Sequence, residues 1–470
     1  MAFPVILVNS ATGSDSAASG AGPATALTGS AASTSGTGLV VTLDGSPDLS
    51  GVATDGSHVI YLADATGANR NFSKITAKDD GAKTVTVANA FGLSISGKSW
   101  AIGGKRASSC LGNSWKILTR DALPGWTIEI ASGHTETVGG AISFSVAGDQ
   151  TSGPITIRGE AGASVLPIIT LSVNSTLFSI GSGNWHIEDI EFRNTNATKT
   201  TSIAISIANA HYVVVKNVKI DNSTDKFAYG IKLSGSKAST VRDCDIGYCA
   251  ISGIYLAGTT DLTIRNCWIY NCTSDGILGS DGSDAGYTLI DSIISNNGGD
   301  GLHSSLTAGT TTKSTRIISN TFAGNTGDGI EFTHLYGTIG LAIINNIFAT
   351  NGGYGVNFSN GSFLPTNLTG YGCQILNNNF YNNTSGKYFP TTITNSENET
   401  TADPGFTNAA GGDYSIGTNL KATGFPLGGT LPVGRSPTYS YVDPGAAQRQ
   451  EAGGSAGVMI TGGMVGGMRS

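Results

Sequence analysis

The stretch DCDIGYCAISGIYLAGTTDLTIRNCWIYNCTSDGILG, residues 243–279, contains nearly the same sequence twice. Cys244 and Cys249 return as Cys267 and Cys272, and the spacing between the two copies is 23 residues. A chain that repeats at a fixed period of this length consists of equivalent structural units, each of which packs on the next. The first question is therefore how far the repeat extends and which unit it encodes.

The repeat covers roughly residues 135–385 and aligns on one polar residue, the Asn of IRNCWI. Its equivalents are Asp189, Asn217, Asp243, Asn266, Asp291, Ser319, Asn345 and Asn377. Two residues earlier stand Ile187, Val215, Val241, Ile264, Leu289, Ile317, Ile343 and Ile375. Three residues later stand Phe192, Ile220, Ile246, Ile269, Ile294, Phe322, Phe348 and Phe380. Every aligned core position is thus apolar.

The period favours one coil of three short strands joined by turns. It is too short for a propeller blade and lacks the helical pattern of ankyrin or tetratricopeptide repeats. Successive coils would hydrogen-bond about 4.8 Å apart, so that like residues stack on themselves. The Asn or Asp anchor suits a tight turn with left-handed backbone geometry. We therefore predict an all-β single-stranded solenoid, a parallel β-helix.

The coils IRNCWIYNC and DGI resemble those of the right-handed parallel β-helix repeat proteins, the pectate-lyase-like superfamily. DALPGWTIEIASG looks like the cap helix and first strand of that family, and TADPGFTNAAGGDYSI and VDPGAAQRQ resemble the segment after its last coil. The resemblance covers roughly residues 106–450 and implies a right-handed helix. It implies no single activity, because the family includes lyases, hydrolases, epimerases, adhesins and phage tail proteins.

The chain divides into four predicted segments. Residues 1–105 form an N-terminal arm and a small β-domain, with alternating strands in GLVVTLDG, HVIYLAD, KTVTVANAFG and KSWAIGG. Residues 106–134 contain the cap helix and first strand, residues 135–400 the β-helix, and residues 401–470 an irregular, Gly-rich C-terminal segment. The arm is poor in apolar residues, so we expect a neighbouring subunit to hold residues 1–40 in place.

The composition excludes several classes of protein. The net charge is -7 and no Lys/Arg cluster occurs, which argues against a nucleic-acid partner. No apolar run approaches 18 residues, so we expect no membrane span, and the first residues lack the basic region of a secretory signal. Six Cys fit neither a disulfide scaffold nor a zinc pattern, and we expect no cofactor. We predict that the stacked Cys244/Cys267 and Cys249/Cys272 are reduced and point inward.

Candidate chemistry is concentrated at Asp-Gly turns. Asp275, Asp300 and Asp328 each precede a Gly anchor, and stacked carboxylates could raise a pKa for acid catalysis or bind a cation. His303 and Glu331 follow at outward positions, which is similar to the groove of a polysaccharide-cleaving β-helix. The alternative, which we favour at this point, is ordinary turn chemistry in which Asp caps backbone N–H groups. No Lys or Arg lies beside this line, as a uronate lyase would need.

An outward ridge changes character along the chain. It begins with charged residues up to Arg265 and continues with aliphatic ones; a second outward position shows the same change. The candidate interface residues are Ile290, Ile293, Ile318, Ile344, Ile347 and Leu376. A long exposed apolar stripe usually marks an interface, so we predict a homotrimer. The alternative is that the inward/outward phase slips by one residue in these coils, where Ser292, Asn320, Asn346 and Asn378 take the neighbouring slot.

These features favour a structural protein of a phage virion over an enzyme. It would decorate or cement the capsid, or form a head fibre or tail component, with the capsid shell as partner and assembly in the host cytoplasm. A tailspike that cleaves a host-surface glycan is the first alternative, and Asp300, His303, Asp328 and Glu331 are its catalytic candidates. An extracellular polysaccharide lyase or hydrolase is the second, with Asp275, Asp300 and Asp328 as metal candidates in either case.

Overall fold

The computed structural model describes residues 5–8, 20–21, 27–52, 54, 59–62, 72–88, 90–91, 96–103, 105–106, 124–196, 201–221, 224–279, 285–306, 313–335, 339–359, 374–390, 396–416, 420 and 445. The chain separates into two compact units. Unit 1 comprises Met1–Val173 with Leu177–Phe192, and unit 2 comprises Asn174–Thr176 with Arg193–Ser470. In this described part no helix has the length and apolar character needed to cross a membrane.

The described part of unit 1 begins with nine strands, of which the third to the eighth form a small closed barrel. They are β1 (Val5–Val8), β2 (Gly20–Ala21), β3 (Leu27–Thr34), β4 (Val40–Thr42), β5 (Val59–Leu62), β6 (Phe72–Asp79), β7 (Thr84–Val87), β8 (Lys98–Gly103) and β9 (Lys105–Arg106). The barrel order is β3-β4-β7-β6-β5-β8, and alternate side chains such as Val85, Ile60 and Trp100 fill its interior. These strands include the four alternating segments that the sequence predicts.

Unit 1 also contains most of the first parallel coils, up to Phe192. Their strands are β10 (Thr127–Ile130), β11 (Thr135–Val138), β12 (Ile142–Phe144), β13 (Ile155–Gly159), β14 (Ile168–Leu171), β15 (Thr176–Ile180), β16 (Trp185–Glu188) and β17 (Glu191–Asn194). β10 is the strand predicted in GWTIEIASG. The cap helix was predicted to precede it, and residues 107–123 lie outside the described part.

The described pieces of the N-terminal arm are held by their own chain. β1 pairs in parallel with β10, from Val5 with Thr127 to Val8 with Ile130. β2 pairs with β9, and β3 pairs with β8 in the barrel. Edge hydrogen bonding therefore anchors these residues. Backbone pairing does not depend on apolar side chains, and contact of the arm with a neighbouring subunit stays a prediction.

Unit 2 is a stack of coils with three strands each. Its strands are β18 (Ile203–Ala208), β19 (Val214–Lys216), β20 (Lys219–Ile220), β21 (Tyr229–Ser234), β22 (Thr240–Arg242), β23 (Asp245–Gly247), β24 (Ser252–Ala257), β25 (Thr260–Arg265), β26 (Trp268–Tyr270), β27 (Ile277–Gly279), β28 (Ala285–Ile290), β29 (Ile293–Ser295), β30 (Leu302–Leu306), β31 (Lys313–Ile318), β32 (Thr321–Ala323), β33 (Ile330–Leu335), β34 (Ile339–Ile344), β35 (Ile347–Ala349), β36 (Tyr354–Phe358), β37 (Gln374–Leu376), β38 (Asn379–Tyr381), β39 (Gly386–Phe389) and β40 (Ser396–Glu397). Each strand pairs in parallel with the strand three places later in the chain, and this pairing makes a parallel β-helix.

Within each coil of unit 2 we call the strands first, second and third in chain order. β22, β23 and β24 form one such coil, and β25, β26 and β27 form the next. The corner between first and second strands holds the predicted anchor. All eight anchors have positive φ, from 47° at Asn217 to 59° at Asn345. The register pairs Arg242 with Arg265, so Asp243 and Asn266 occupy the same corner of successive coils.

The predicted interior positions are buried in every coil. Ile264 and Ile269 are fully buried on either side of the anchor Asn266, and the equivalents in the other coils are at most 3% exposed. The rings of Phe322, Phe348 and Phe380 stack with centroids 5.2 and 4.9 Å apart. Stacking of like residues therefore supplies the core of the solenoid, and the all-β fold is confirmed.

The residue just after the anchor also points inward, and its chemistry changes along unit 2. Cys244 and Cys267 fill this slot in two coils, and Ser292, Asn320, Asn346 and Asn378 fill it afterwards; all are buried. Because Ile317 and Phe322 stay buried in the same coils, the phase does not slip. Cys244, Cys249, Cys267 and Cys272 are free, which confirms the prediction of reduced, inward Cys.

Asparagine side chains form a ladder at this corner. Asn346 accepts hydrogen bonds from the backbone N and the Nδ2 of Asn320, at 2.8 and 3.1 Å. Its own Nδ2 donates to the carbonyls of Ile317 and Ile344 and to Asn378 Oδ1. A second ladder runs through Asn297, Asn325, Asn351 and Asn383 at the corner between second and third strands. The buried amides are thereby satisfied, as buried polar groups must be.

The C-terminal segment covers one face of unit 2. After β40 it continues without strands through residue 416, apart from isolated bridges, and includes a 3₁₀ turn at Ala409–Gly411. Tyr414, Ile416 and Leu420 pack with Ile293 and Ile347 in one buried cluster. The chain therefore closes over the outward side of its own second strands.

This cover corrects part of the predicted interface. Ile293, Ile344 and Ile347 were expected to be exposed on a single chain, and the structure buries all three. Ile293 and Ile347 are covered by the C-terminal segment. The other three, Ile290, Ile318 and Leu376, are partly exposed on the first strands. A contact between subunits through these three stays a prediction.

Candidate functional site

The candidate catalytic residues meet on the outward face of the third strands. His303 lies on β30 and Glu331 on β33, and the two are directly paired in the register. Asp300 and Asp328 lie in the turns that lead into these strands. The local sequence explains the arrangement. The aliphatic residues after each Asp-Gly, Leu302 and Ile330, point inward, so the next residue must point outward.

The three aspartates form a stack that links successive coils. The Oδ1 of Asp275 accepts from the backbone N of Asp300 at 2.8 Å, and the Oδ1 of Asp300 accepts from the N of Asp328 at 2.6 Å. The Oδ1 of Asp328 accepts from the N of Tyr354 in turn. One oxygen of each carboxylate therefore caps a turn, as the structural alternative predicts.

The glycine before each turn makes this close stacking possible. A Cβ at Gly327 would clash with the carboxylate of Asp300, and one at Gly353 would clash with that of Asp328. The glycine thus lets the next coil approach the carboxylate. It is a requirement of the stack, separate from any role in chemistry.

The second oxygen of Asp300 takes part in a different group. His303 Nδ1 lies 3.2 Å from Asp300 Oδ2 and 3.0 Å from Glu331 Oε2, so one imidazole nitrogen joins two carboxylates. Asp328 Oδ2 accepts from Asn357 Nδ2 at 2.7 Å beside this trio. All of these side chains are largely but incompletely buried. The group can therefore be reached from solvent while water is partly excluded.

The environments of the two carboxylates drive their pKa values apart. Burial raises the pKa of Asp300 to about 6, although hydrogen bonds from His303 and the Asp328 backbone oppose the rise. The hydrogen bond from His303 lowers the pKa of Glu331 to about 2. The same bonds to Asp300 and Glu331 raise the pKa of His303 to about 10. Near pH 6 the group contains an ionised Glu331, a charged imidazole and a carboxyl that gains and loses its proton.

Two sets of three ligand atoms could hold a cation here. Asp275, Asp300 and His303 form one, and Asp300, Asp328 and Glu331 form the other, with the atoms of each set within 4.8 Å of one another. The sequence-predicted trio Asp275, Asp300 and Asp328 is thus divided between them. In the arrangement seen, one oxygen of each Asp is already used by a backbone N–H, and the imidazole supplies positive charge between Asp300 and Glu331.

The structure therefore brings together all four catalytic candidates and adds neighbours that the sequence argument missed. Asn357 continues the row of His303 and Glu331 on β36. In the other direction the row continues through Leu278, Tyr255 and Lys232. The signal was available, because each of these residues follows the aliphatic residue of its own third strand. Comparing that column between coils would have found them.

Comparisons with known proteins support the fold. Residues 168–315 match the family model described as a right handed beta helix region. The solved structure of pectate lyase Pel9A has 16% sequence identity, covers 70% of this chain and 88% of its own, and superposes with a TM-score of 0.51. An Azotobacter vinelandii mannuronan C-5 epimerase AlgE6 A-module has 14% identity, coverage of 60% and 91%, and a TM-score of 0.41. No curated protein matches the chain.

Proposed function

We propose that this chain cleaves a polysaccharide by acid-assisted hydrolysis at the group formed by Asp300, His303 and Glu331. The observation that carries the proposal is the single imidazole nitrogen of His303 within 3.2 Å of both carboxylates. It places a proton donor and an ionised carboxylate side by side on an accessible face. Two carboxyl groups with separated pKa values are what glycoside hydrolysis uses.

The roles follow from the protonation states. Asp300, with a pKa of about 6, would give its proton to the glycosidic oxygen as the bond from that oxygen to the anomeric carbon breaks. Glu331, ionised because of His303, would form a bond to the anomeric carbon. Water, deprotonated by Asp300, would then displace Glu331 and restore both groups. The oxygens lie within 4.8 Å, which is closer to the separation of retaining enzymes than of inverting ones.

The test is release of reducing ends from purified capsular and lipopolysaccharide glycans. We expect Asp300→Asn and Glu331→Gln each to lower the rate by a factor of at least about 100. Activity should fall above pH 6, where Asp300 loses its proton. Asp261→Asn is the matched control, because Asp261 on β25 is an exposed carboxylate with a left-handed backbone conformation that Asn also tolerates. Full activity in both site variants, or none in the wild-type chain, would contradict the proposal.

A second candidate is the structural role in a phage virion, as a homotrimer attached to the capsid shell or tail. The observation that favours it is the ridge of Ile290, Ile318 and Leu376, which the single chain covers only in part. Burial of such side chains between subunits would stabilise an assembly by roughly 1–2 kcal/mol each, since they are already partly covered. This function requires no cleavage, so the reducing-end assay separates the two candidates.

Light scattering tests the assembly. We expect the wild-type chain at micromolar concentration to have three times the chain mass of 47.8 kDa, and Ile318→Lys to dissociate it. Val165→Lys is the control, because Val165 is 53% exposed and lies in unit 1. A single-chain mass that Ile318→Lys does not change would refute the trimer and the virion role based on it.

A further inference from the structure

The row that contains His303 and Glu331 is longer than the catalytic group. One outward position on successive third strands holds, in chain order, Lys232, Tyr255, Leu278, His303, Glu331, Asn357 and Phe389. Neighbouring strands are about 4.8 Å apart, so Lys232 lies roughly 14 Å from His303 along the coil axis. A glycan laid along this row would meet a succession of chemically different side chains.

At the Lys232 end two tyrosines and the lysine form a compact group. The Tyr229 and Tyr255 rings have centroids 5.1 Å apart and planes tilted by 58°. Lys232 Nζ lies 5.5 Å from the centre of the first ring and 5.0 Å from that of the second. All three side chains are partly exposed. Contact with two ring faces fixes the position of the ammonium group without neutralising it.

The charge of Lys232 is available to a ligand. Among the residues that the structure describes, no carboxylate lies within ion-pair distance of its Nζ, whereas Lys219 and Lys387 each have an acidic partner. Tyr229 does not neutralise it, because burial raises the pKa of Tyr229 and keeps its hydroxyl uncharged. A lysine fixed over aromatic rings and lacking an acidic partner can pair with an anion that also has an apolar face.

The row is also electrically polar. Asp300, Glu331 and Asp328 make the His303 end acidic, which disfavours an anionic sugar directly above them. At roughly 14 Å this repulsion is largely screened at physiological salt, where the Debye length is about 8 Å. The charges along the row therefore favour an anionic unit at Lys232 over one at the cleavage group.

We propose that Tyr229, Lys232 and Tyr255 form a subsite for an anionic sugar unit, three strands from the cleavage group. Lys232 would bind the carboxylate or sulfate, and the tyrosine rings would stack on the C–H face of the pyranose. The substrate would then be a glycan in which a charged unit stands a few sugars from a neutral one. The subsite rests on the proposed function only in assuming that a glycan occupies the row.

Binding is measured in the full chain carrying Glu331→Gln, so that no probe is consumed. The probes are hexasaccharides of galacturonate, of mannuronate, of sulfated galactose and of neutral galactose. Isothermal titration calorimetry measures the affinity of each. We expect at least one anionic probe to bind, the neutral one to bind at least about tenfold more weakly, and Lys232→Gln to remove that preference. The uronate and sulfate arms identify which anion is recognised.

Lys216→Gln is the matched control, since Lys216 belongs to the same coil and lies on its first strand. Binding of the preferred probe should weaken with added salt in the Lys216 variant and lose this dependence in the Lys232 variant. Equal binding of anionic and neutral probes, unchanged affinity in Lys232→Gln, or no binding of any anionic probe would overturn the subsite. If Lys232-dependent binding occurs without reducing-end release, the proposed hydrolysis fails and the subsite stands.

Discussion

The early and late coils of unit 2 solve the same packing problem with different chemistry. After the anchor, Val218, Cys244 and Cys267 fill the inward slot in the early coils, and Asn320, Asn346 and Asn378 fill it in the late ones. The backbone is the same in both, with positive φ at Asn217 and at Asn345. In the early coils the thiols contact backbone carbonyls, as Cys267 does with Arg265 at 3.3 Å, and in the late coils the amides form a continuous chain of hydrogen bonds from side chain to side chain. A fixed corner geometry therefore tolerates two kinds of core.

The largest effect is expected from a charged residue placed in the inward apolar column that early and late coils share. Ile269→Asp should lower the free energy of unfolding by about 5 kcal/mol, because it places an unpaired carboxylate among stacked aliphatic side chains. Urea denaturation followed by circular dichroism measures the loss. Ile269→Val, which keeps the column apolar, should cost only about 1 kcal/mol. Equal stability of the Asp variant and the wild type would show that this side chain does not face the interior.

The difference between the coils is tested by breaking the ladder. Asn346→Ala removes the acceptor of the Asn320 N–H and Nδ2 and leaves the carbonyls of Ile317 and Ile344 with one donor fewer. Each buried group left unsatisfied costs about 1–3 kcal/mol, so we expect a loss of about 4 kcal/mol in urea denaturation. A loss below about 1 kcal/mol would mean that the amides add nothing to the apolar packing.

The smallest effect is expected in the early coils. Cys267→Ser should change the unfolding free energy by less than about 1 kcal/mol, because the same slot one coil later already holds a serine. Ser292 Oγ donates to the Ile290 carbonyl at 3.0 Å, and the Cys267 thiol lies 3.3 Å from the equivalent carbonyl of Arg265. The new hydroxyl can make the same bond. A loss as large as that of Asn346→Ala would show that the early slot is also specific.

The periodic features could be predicted from the sequence, and the non-periodic ones could not. The anchors and the inward columns of Ile264 and Ile269 repeat at each coil, so their geometry follows from spacing. The asparagine ladder was left as an alternative phase, because an Asn in sequence does not reveal whether it points in or out. The cover of Ile293 and Ile347 by Tyr414 and Ile416 joins residues far apart in the chain, which no local pattern reports.

The candidate site falls between these cases. Stacking of the Asp-Gly turns was expected, and it places Asp300 and Asp328 on adjacent coils. What the sequence does not reveal is that each carboxylate uses one oxygen for the turn and keeps the other for a neighbour, as Asp300 does with His303. That division depends on side-chain rotamers. A role of Asp300 in the turn therefore leaves its second oxygen for the pairing with His303.

The asparagine ladder has a direction, and this has a consequence for how the chain is completed during synthesis. The backbone N–H of Asn320 needs the side chain of Asn346, which is 26 residues further on. The N–H of Asn346 likewise needs Asn378. Because a ribosome releases the N-terminal coil first, each late coil emerges with a donor whose partner in the folded chain belongs to the following coil. Each late coil therefore obtains its full set of hydrogen bonds only after the following coil has been synthesised. The last of these coils likewise depends on residues that leave the ribosome after it.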